Sequence, residues 1–81
     1  MTDKEKEILR WIYAFTQDRG VAPNQATVAK CLGMSRSRVG QVIRRLPITR
    51  VQEIEEYEVI KQRKVLRLYI DKSKVKIKDL V

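Results

Sequence analysis

Histidine is absent from this 81-residue chain and cysteine occurs once, as Cys31. A zinc site built from the usual nitrogen and sulfur ligands is therefore excluded, and no internal disulfide can form. Cys31 reads as a small, partly buried filler on a helix; a redox-sensing thiol is the sharper alternative, for which the neighbouring Lys30 offers only weak support of the thiolate. Glycine is scarce as well, with Gly20, Gly33 and Gly40 standing alone, so no glycine-rich loop is present to cradle a phosphate. Long apolar runs are missing too. The longest, Trp11 to Phe15, is far too short to span a bilayer, and the charged N-terminus lacks the apolar core of a signal peptide. The expectation is a soluble intracellular protein, cytoplasmic and nucleoid-associated if cellular, or in the host cytoplasm if viral. Catalysis needs a poised nucleophile or acid/base group with an orienting partner. The acids here lie in the first helix and in the run Glu53 to Glu58, where each reads as an exposed surface charge, so the expectation is a non-enzyme with no cofactor and no metal.

What the chain does have is positive charge, unevenly placed. Eighteen Lys and Arg stand against ten Asp and Glu, for a net charge of +8. Residues 35–50 hold five arginines and no acid, residues 65–81 carry a net +3, and residues 1–34 and 51–64 are close to neutral. Concentrated charge of this kind suits a polyanionic partner better than a uniformly basic surface would. The length fits one domain over residues 1–81, near the lower limit for a self-sufficient core, without room for a second catalytic domain. No internal repeat or linker interrupts it.

The acid-free stretch belongs to a helix-turn-helix pattern over residues 25–46, QATVAKCLGMSRSRVGQVIRRL. Ala29 falls where the first helix must let the second approach closely, and Gly33 falls four residues later, where the turn needs positive φ. Ser35 is a natural N-cap for the second helix, residues 35–46. Setting Val39 at zero on a helical wheel places Val42, Ile43 and Leu46 within about 60° of it as one apolar stripe. Ser37, Gln41 and Arg44 project oppositely, flanked by Arg38 and Arg45, with Arg36 in the first turn. Arg and Gln carry the paired groups that read guanine and adenine edges in a major groove, while further arginines hold phosphates. Gly40 lies beside this polar face, where a missing side chain would let the backbone come close to DNA. The plainer reading is a solvated basic helix surface, but such faces usually mix signs and this one has no acid.

Upstream, Thr2-Asp3-Lys4-Glu5 is a capping box that starts helix 1 at once. Ile8, Ile12 and Phe15 form its core stripe with Trp11 beside it, and the helix stops near Gly20. Leu9 and Tyr13 lie off that stripe, which predicts that C-terminal chain covers a second side. Val21-Ala22 suits a short extended segment before Pro23, and Asn24 an N-cap for helix 2. Leu46 ends helix 3, because Pro47 cannot continue it.

Residues 48–81 admit two readings. Ile48, Val51, Ile54, Tyr57 and Ile60 recur every three residues, as on a long charged helix over 48–68. The favoured reading is a β-hairpin reversing about Gln62-Arg63, which sets Val59 opposite Leu66, Tyr57 opposite Leu68 and Glu58 opposite Arg67, with Leu66 and Leu68 facing inward. VLRLYI has the β-branched and aromatic content of a strand. Lys61, Arg63 and Lys64 then form a basic hairpin tip, a wing beside the helix-turn-helix placed to touch phosphates or the minor groove. The tail Asp71 to Val81 alternates Val75 and Ile77 with lysines and suits an edge strand, a dimer contact or a basic arm. The expected fold class is α+β, a winged helix-turn-helix of three helices followed by a β-hairpin.

TDKEKEILRWI, Gly20, Pro23-Asn24 and VAKCLGMSRSRVGQVIRRL together resemble the N-terminal DNA-binding domain of LexA-type repressors over residues 2–46. That family runs from an initial Thr and an E-I-L-x-x-I helix through a G-x-x-P turn to an I/V-A-x-x-L-G helix-turn-helix. The resemblance implies that helix 3 enters the major groove, that the hairpin acts as the wing, and that Ser35, Ser37, Arg38 and Gln41 are reading positions. The family's self-cleaving serine/lysine domain has no room here, and residues 47–81 are longer and more charged than its short wing, so only the DNA-docking mode carries over. The expectation is a sequence-specific double-stranded DNA-binding protein that regulates transcription as a homodimer, with no small-molecule effector evident. A replication or partition initiator of a plasmid or virus uses the same module, and a winged helix devoted to protein interaction is the alternative from another class.

Overall fold

A computed structural model describes residues 2–80. Three helices, α1 (Asp3–Arg19), α2 (Gln25–Leu32) and α3 (Arg36–Ile43), precede an antiparallel pair, β1 (Ile48–Glu58) and β2 (Lys61–Ile70), and a short 3-10 turn at Ile77–Asp79. The class is α+β, and the helical alternative for residues 48–68 is replaced by the hairpin.

Local chemistry sets the helix ends. The Thr2 hydroxyl accepts the Glu5 N–H at 3.1 Å while the Glu5 carboxylate accepts the Thr2 N–H at 3.1 Å, completing the capping box. Asn24 Oδ1 caps α2 by accepting the Thr27 N–H at 2.7 Å. Gly33 closes α2 at φ 65°, where an L side chain would be strained. α3 is shorter than the expected 35–46: the Arg45 and Leu46 amides bond three residues back, to the Val42 and Ile43 carbonyls, which tightens the last turn ahead of Pro47. Arg44 and Arg45 therefore sit at and beyond the helix end.

The core joins Ile8, Leu9 and Ile12 of α1, Val28 and Ala29 of α2, and Val39, Val42 and Ile43 of α3 to Leu46, Leu68, Val75 and Leu80. Phe15, expected in the stripe, is only half buried and stacks between Trp11 and the Arg19 guanidinium. The second side of α1 is covered as expected. The tail folds back with Val75 and Leu80 buried, and Arg10 Nε donates to the Asp79 carbonyl at 3.3 Å. Among the described tail residues no strand forms, which removes the edge-strand option; Val81 lies outside the described residues.

The hairpin's register differs from the expected one. The chain reverses at Val59-Ile60, three residues earlier than Gln62-Arg63, so Glu58 faces Lys61, Glu55 faces Arg63, Glu53 faces Val65 and Arg50 faces Leu68. Glu58 does not meet Arg67. Neither turn residue has positive φ, so the reversal is not one of the primed turns that match strand twist; the register slips between Glu56 and Glu58, leaving Tyr57 as a bulged extra residue. Leu68 is 1% exposed against the core, but Leu66, the next inner position outward, is 51% exposed because the hairpin runs past the helices. On the opposite edge of β2, the Leu68 N–H bonds the Pro23 carbonyl at 2.9 Å and Asn24 bridges Arg67, so the α1–α2 connection serves as a third strand position.

Candidate nucleic-acid interface

α3 separates its two sides cleanly. Val39, Val42 and Ile43 are buried, and Arg36, Ser37, Arg38 and Gln41 are exposed, as are Arg44 and Arg45 after the helix end. No acid occurs in α3, so the exposed face is cationic throughout. Ser35 is occupied as the N-cap, its Oγ accepting the Arg38 N–H at 3.1 Å. Its hydroxyl proton and its second lone pair remain to be offered outward.

The close approach of α2 and α3 has two supports. Ala29 is buried, and its carbonyl accepts from the Met34 N–H at 2.9 Å across the turn. Gly40 is the second, which corrects its expected role. A Cβ built there would lie 3.0 Å from Nε2 of Gln25, and that amide donates to the Arg36 carbonyl at 2.8 Å. The space Gly40 leaves is occupied by the Gln25 side chain of α2.

The expected cations do not form one cluster. Arg45 stands near the start of α1, where its charge adds a small contribution to lowering the Glu5 pKa; the larger causes are the backbone and side-chain hydrogen bonds with Thr2. Arg36, at the other end of α3, lines an open groove of about 540 Å³ between the helix N-termini and the hairpin. Arg50, Arg63 and Lys64 line it too, over Leu66 and Leu68, and no acid is among its lining residues. Arg50 was not among the expected site residues. Its place becomes visible only when the register sets it opposite buried Leu68; in the sequence, its membership of the acid-free stretch 35–50 was the available signal.

The hairpin also sorts its charges by face. Side chains directly opposite in an antiparallel pair share a face, so Arg50, Gln52, Lys64 and Leu66 lie with Leu68 on the helix side, while Glu53, Glu55, Arg63, Val65, Arg67 and Tyr69 take the other, from whose edge Arg63 and Val65 also border the groove. There Arg67 Nη2 donates to Glu55 at 3.1 Å and Nη1 to the Ala22 carbonyl at 3.1 Å, Arg63 donates to Glu55 at 3.1 Å, and the Tyr69 hydroxyl donates to Glu53 at 2.7 Å. The hydrogen bond to Glu53, assisted by partial burial, raises the Tyr69 pKa above its ordinary value. Arg67 Nε is buried without a hydrogen-bond partner; the Glu53 carboxylate 3.7 Å away is at ion-pair distance only. Glu53 and Glu55 are thus half-buried network members, not the exposed charges expected from the run Glu53 to Glu58.

The basic tip is likewise revised. Val59 and Ile60 occupy it; Lys61 pairs with Glu58 at 3.4 Å and Arg63 with Glu55, both within strand β2 or its partner. Lys64 makes no ion pair among the described residues, and of the three it is the cation best placed for an external anion. Cys31 is exposed, not a partly buried filler, because its position on α2 opens beside a shallow recess lined by Trp11, Ala14, Phe15, Asp18 and Arg19. Among the described residues no group of three or more metal-ligating side chains occurs, and no helix is long and apolar enough to cross a membrane. Comparison with protein-family models, with curated proteins and with solved structures returned no match.

Proposed function

We propose that this chain is a winged-helix, sequence-specific double-stranded DNA-binding protein that regulates transcription by occupying an operator as a two-fold dimer. α3 enters the major groove, where Gln41 and Arg36 or Arg38 address base edges, with Ser37 beside them and Arg44 on a phosphate. The hairpin lies alongside as the wing, with Arg50 and Lys64 turned toward the backbone. One observation carries the reading: the acid-free face of α3 and the cation-lined groove adjoin, while Glu53 and Glu55 are held on the far side of the hairpin by Arg63, Arg67 and Tyr69. A polyanion approaching from the α3 side meets the cations of that face and, through Arg36, those of the groove, with no acid among the residues of either.

A salt titration with random duplex tests it. If Arg38, Arg44, Arg50 and Lys64 each neutralise one phosphate, log K against log salt falls with a slope of roughly −3 to −4. In vitro selection then yields a site bound about 10³-fold or more tighter than random duplex at the same salt. A flat salt dependence refutes DNA binding and returns the module to protein interaction.

A further inference from the structure

The outer half of the hairpin carries apolar side chains that the helices do not cover, although the Arg63 guanidinium lies over one of them, 5.6 Å from the Tyr57 ring centroid. Val59 and Ile60 form the reversal at 103% and 89% exposure, and Ile54, Tyr57 and Leu66 are each more than half exposed. Turn positions ordinarily hold Gly, Asn, Asp or Pro, for reasons of backbone geometry that Val and Ile do not meet. Large exposed hydrophobes gathered in one place mark a contact surface more reliably than they mark a turn.

Charge around the patch identifies the partner. Glu55, Glu56 and Glu58 balance Lys61, Arg63 and Lys64, and most are satisfied locally: Lys61 with Glu58 at 3.4 Å, Arg63 with Glu55 at 3.1 Å, and Gln62 donating to Glu56 at 3.0 Å. The tip is therefore neutral on a chain of net charge +8. Inserting it between DNA strands as an apolar wedge would bring three glutamates toward phosphates, against the cationic flanks that such wedges use. Two copies of the chain repel each other through most of their surface, but at this tip they meet without net like charge.

We propose that the hairpin tip, Val59 and Ile60 with Ile54 and Tyr57, is the surface through which two copies of the chain associate. The contact is isologous, the same patch on each copy about a two-fold axis. The four side chains fall below a standard interface in size, so the association is weak in free solution and strengthens when both copies sit on one duplex. From Val65, the last buried residue on β2 toward the tip, to Ile60 the strand runs about 17 Å. Paired hairpins thus hold the two bodies tens of ångströms apart, commensurate with half-sites separated by one helical turn or a multiple of it. That consequence rests on the DNA-binding reading; the association itself does not.

Sedimentation equilibrium of the whole chain without DNA, from micromolar to millimolar, tests the association against a Val59→Ser/Ile60→Ser double variant. The mass of the wild type is expected to rise from 9.5 kDa toward twice that value, and the double variant to stay monomeric with its melting temperature within a few degrees. On selected duplexes, the double variant should bind a single half-site as the wild type does and lose on the order of a hundredfold in affinity for a paired site. A wild type that stays monomeric at millimolar and binds paired half-sites without cooperativity overturns the proposal, as does a double variant that associates like the wild type. Weakened binding to a single half-site with no change in mass would assign the tip to DNA, and also overturns it. A chain that associates through the tip but binds no duplex keeps this surface and loses the DNA reading.

Discussion

Replacing Arg67 by methionine tests what holds the hairpin against the helices. The Arg67 side chain is 14% exposed and makes three contacts at once: the Ala22 carbonyl at 3.1 Å, Glu55 at 3.1 Å, and the Glu53 carboxylate at 3.7 Å. Methionine keeps most of the aliphatic bulk, so the loss is electrostatic. Each charged hydrogen bond is worth about 1.5–3 kcal/mol when sheltered, but Glu53 and Glu55 are about a third exposed and solvent screens their share. The working figure is about 2–4 kcal/mol, a large part of the roughly 4–12 kcal/mol available to a domain of this length. At about 4–8 °C per kcal/mol, the melting temperature should fall by roughly 10–30 °C. Arg63→Met is the control: its pair with Glu55 is 57% exposed on the arginine side and its stacking over Tyr57 is equally at the surface, so losing both should cost only about 1 kcal/mol. Calorimetry at low salt and in 0.5 M NaCl separates the two, since salt should erase most of the Arg63 effect and little of the Arg67 effect. Equal small losses for both variants would refute the idea that Arg67 ties the hairpin to the α1–α2 connection.

Leu68→Ala should destabilise by about 2–5 kcal/mol in a denaturant melt, while Leu66→Ala, half exposed beyond the helices, should cost less than about 1 kcal/mol; the reverse order would mean that the strand is turned over or shifted. Gln41→Ala should lose about 1–3 kcal/mol on a selected site and nothing on random duplex, with unchanged melting, whereas equal losses on both duplexes would remove it from base reading. Gly33→Ala has open space for its Cβ yet should cost about 1–2 kcal/mol from the strain at φ 65°, read as a lower urea midpoint; no loss would mean that the turn relaxes. The hydrogen bonds to Glu5 and Asp71 lower both pKa values below the ordinary 4.5 and 3.8, so the stability they add is present above those values and is lost as pH falls through the lower, folded-state ones. A Glu5→Gln/Asp71→Asn variant should accordingly lose less of its urea midpoint below pH 4.5 than the wild type, and parallel profiles would contradict the assignment.

The separation of charge across the hairpin explains why its apolar spacing misleads. In β1 the half-buried positions past Ile48 are Glu53 and Glu55, drawn toward β2 by Arg63, Arg67 and Tyr69, while Ile54 between them faces largely into solvent. Burial on that strand follows a polar network, so a search for apolar periodicity finds a three-residue repeat that corresponds to no packed face. The same network keeps the acids off the helix side, which leaves Arg50 and Lys64 to shape the groove beside Arg36.

Features that depend on a few neighbouring residues were settled by the sequence alone. The Thr2–Glu5 capping box, the Asn24 and Ser35 caps, the positive φ at Gly33, the close packing at Ala29 and the buried stripe of α3 each follow from side-chain chemistry within one or two turns of chain. The cationic outer face of α3 followed as well, because a helix fixes which residues share a side. Relations between distant segments were decided only in the folded chain. Whether the hairpin reversed at Val59-Ile60 or three residues later depended on the sum of contacts made by Leu68, Arg67 and Val65 with the helices and the α1–α2 connection, since turn residues without Gly or Asn left the register unspecified. That choice put Arg50 in the groove, tied Lys61 and Arg63 to glutamates, and moved Val59 and Ile60 to the tip. Gly40 changed meaning for the same reason: a gap on a helix is local, but the Gln25 side chain that fills it comes from another element, brought there by packing.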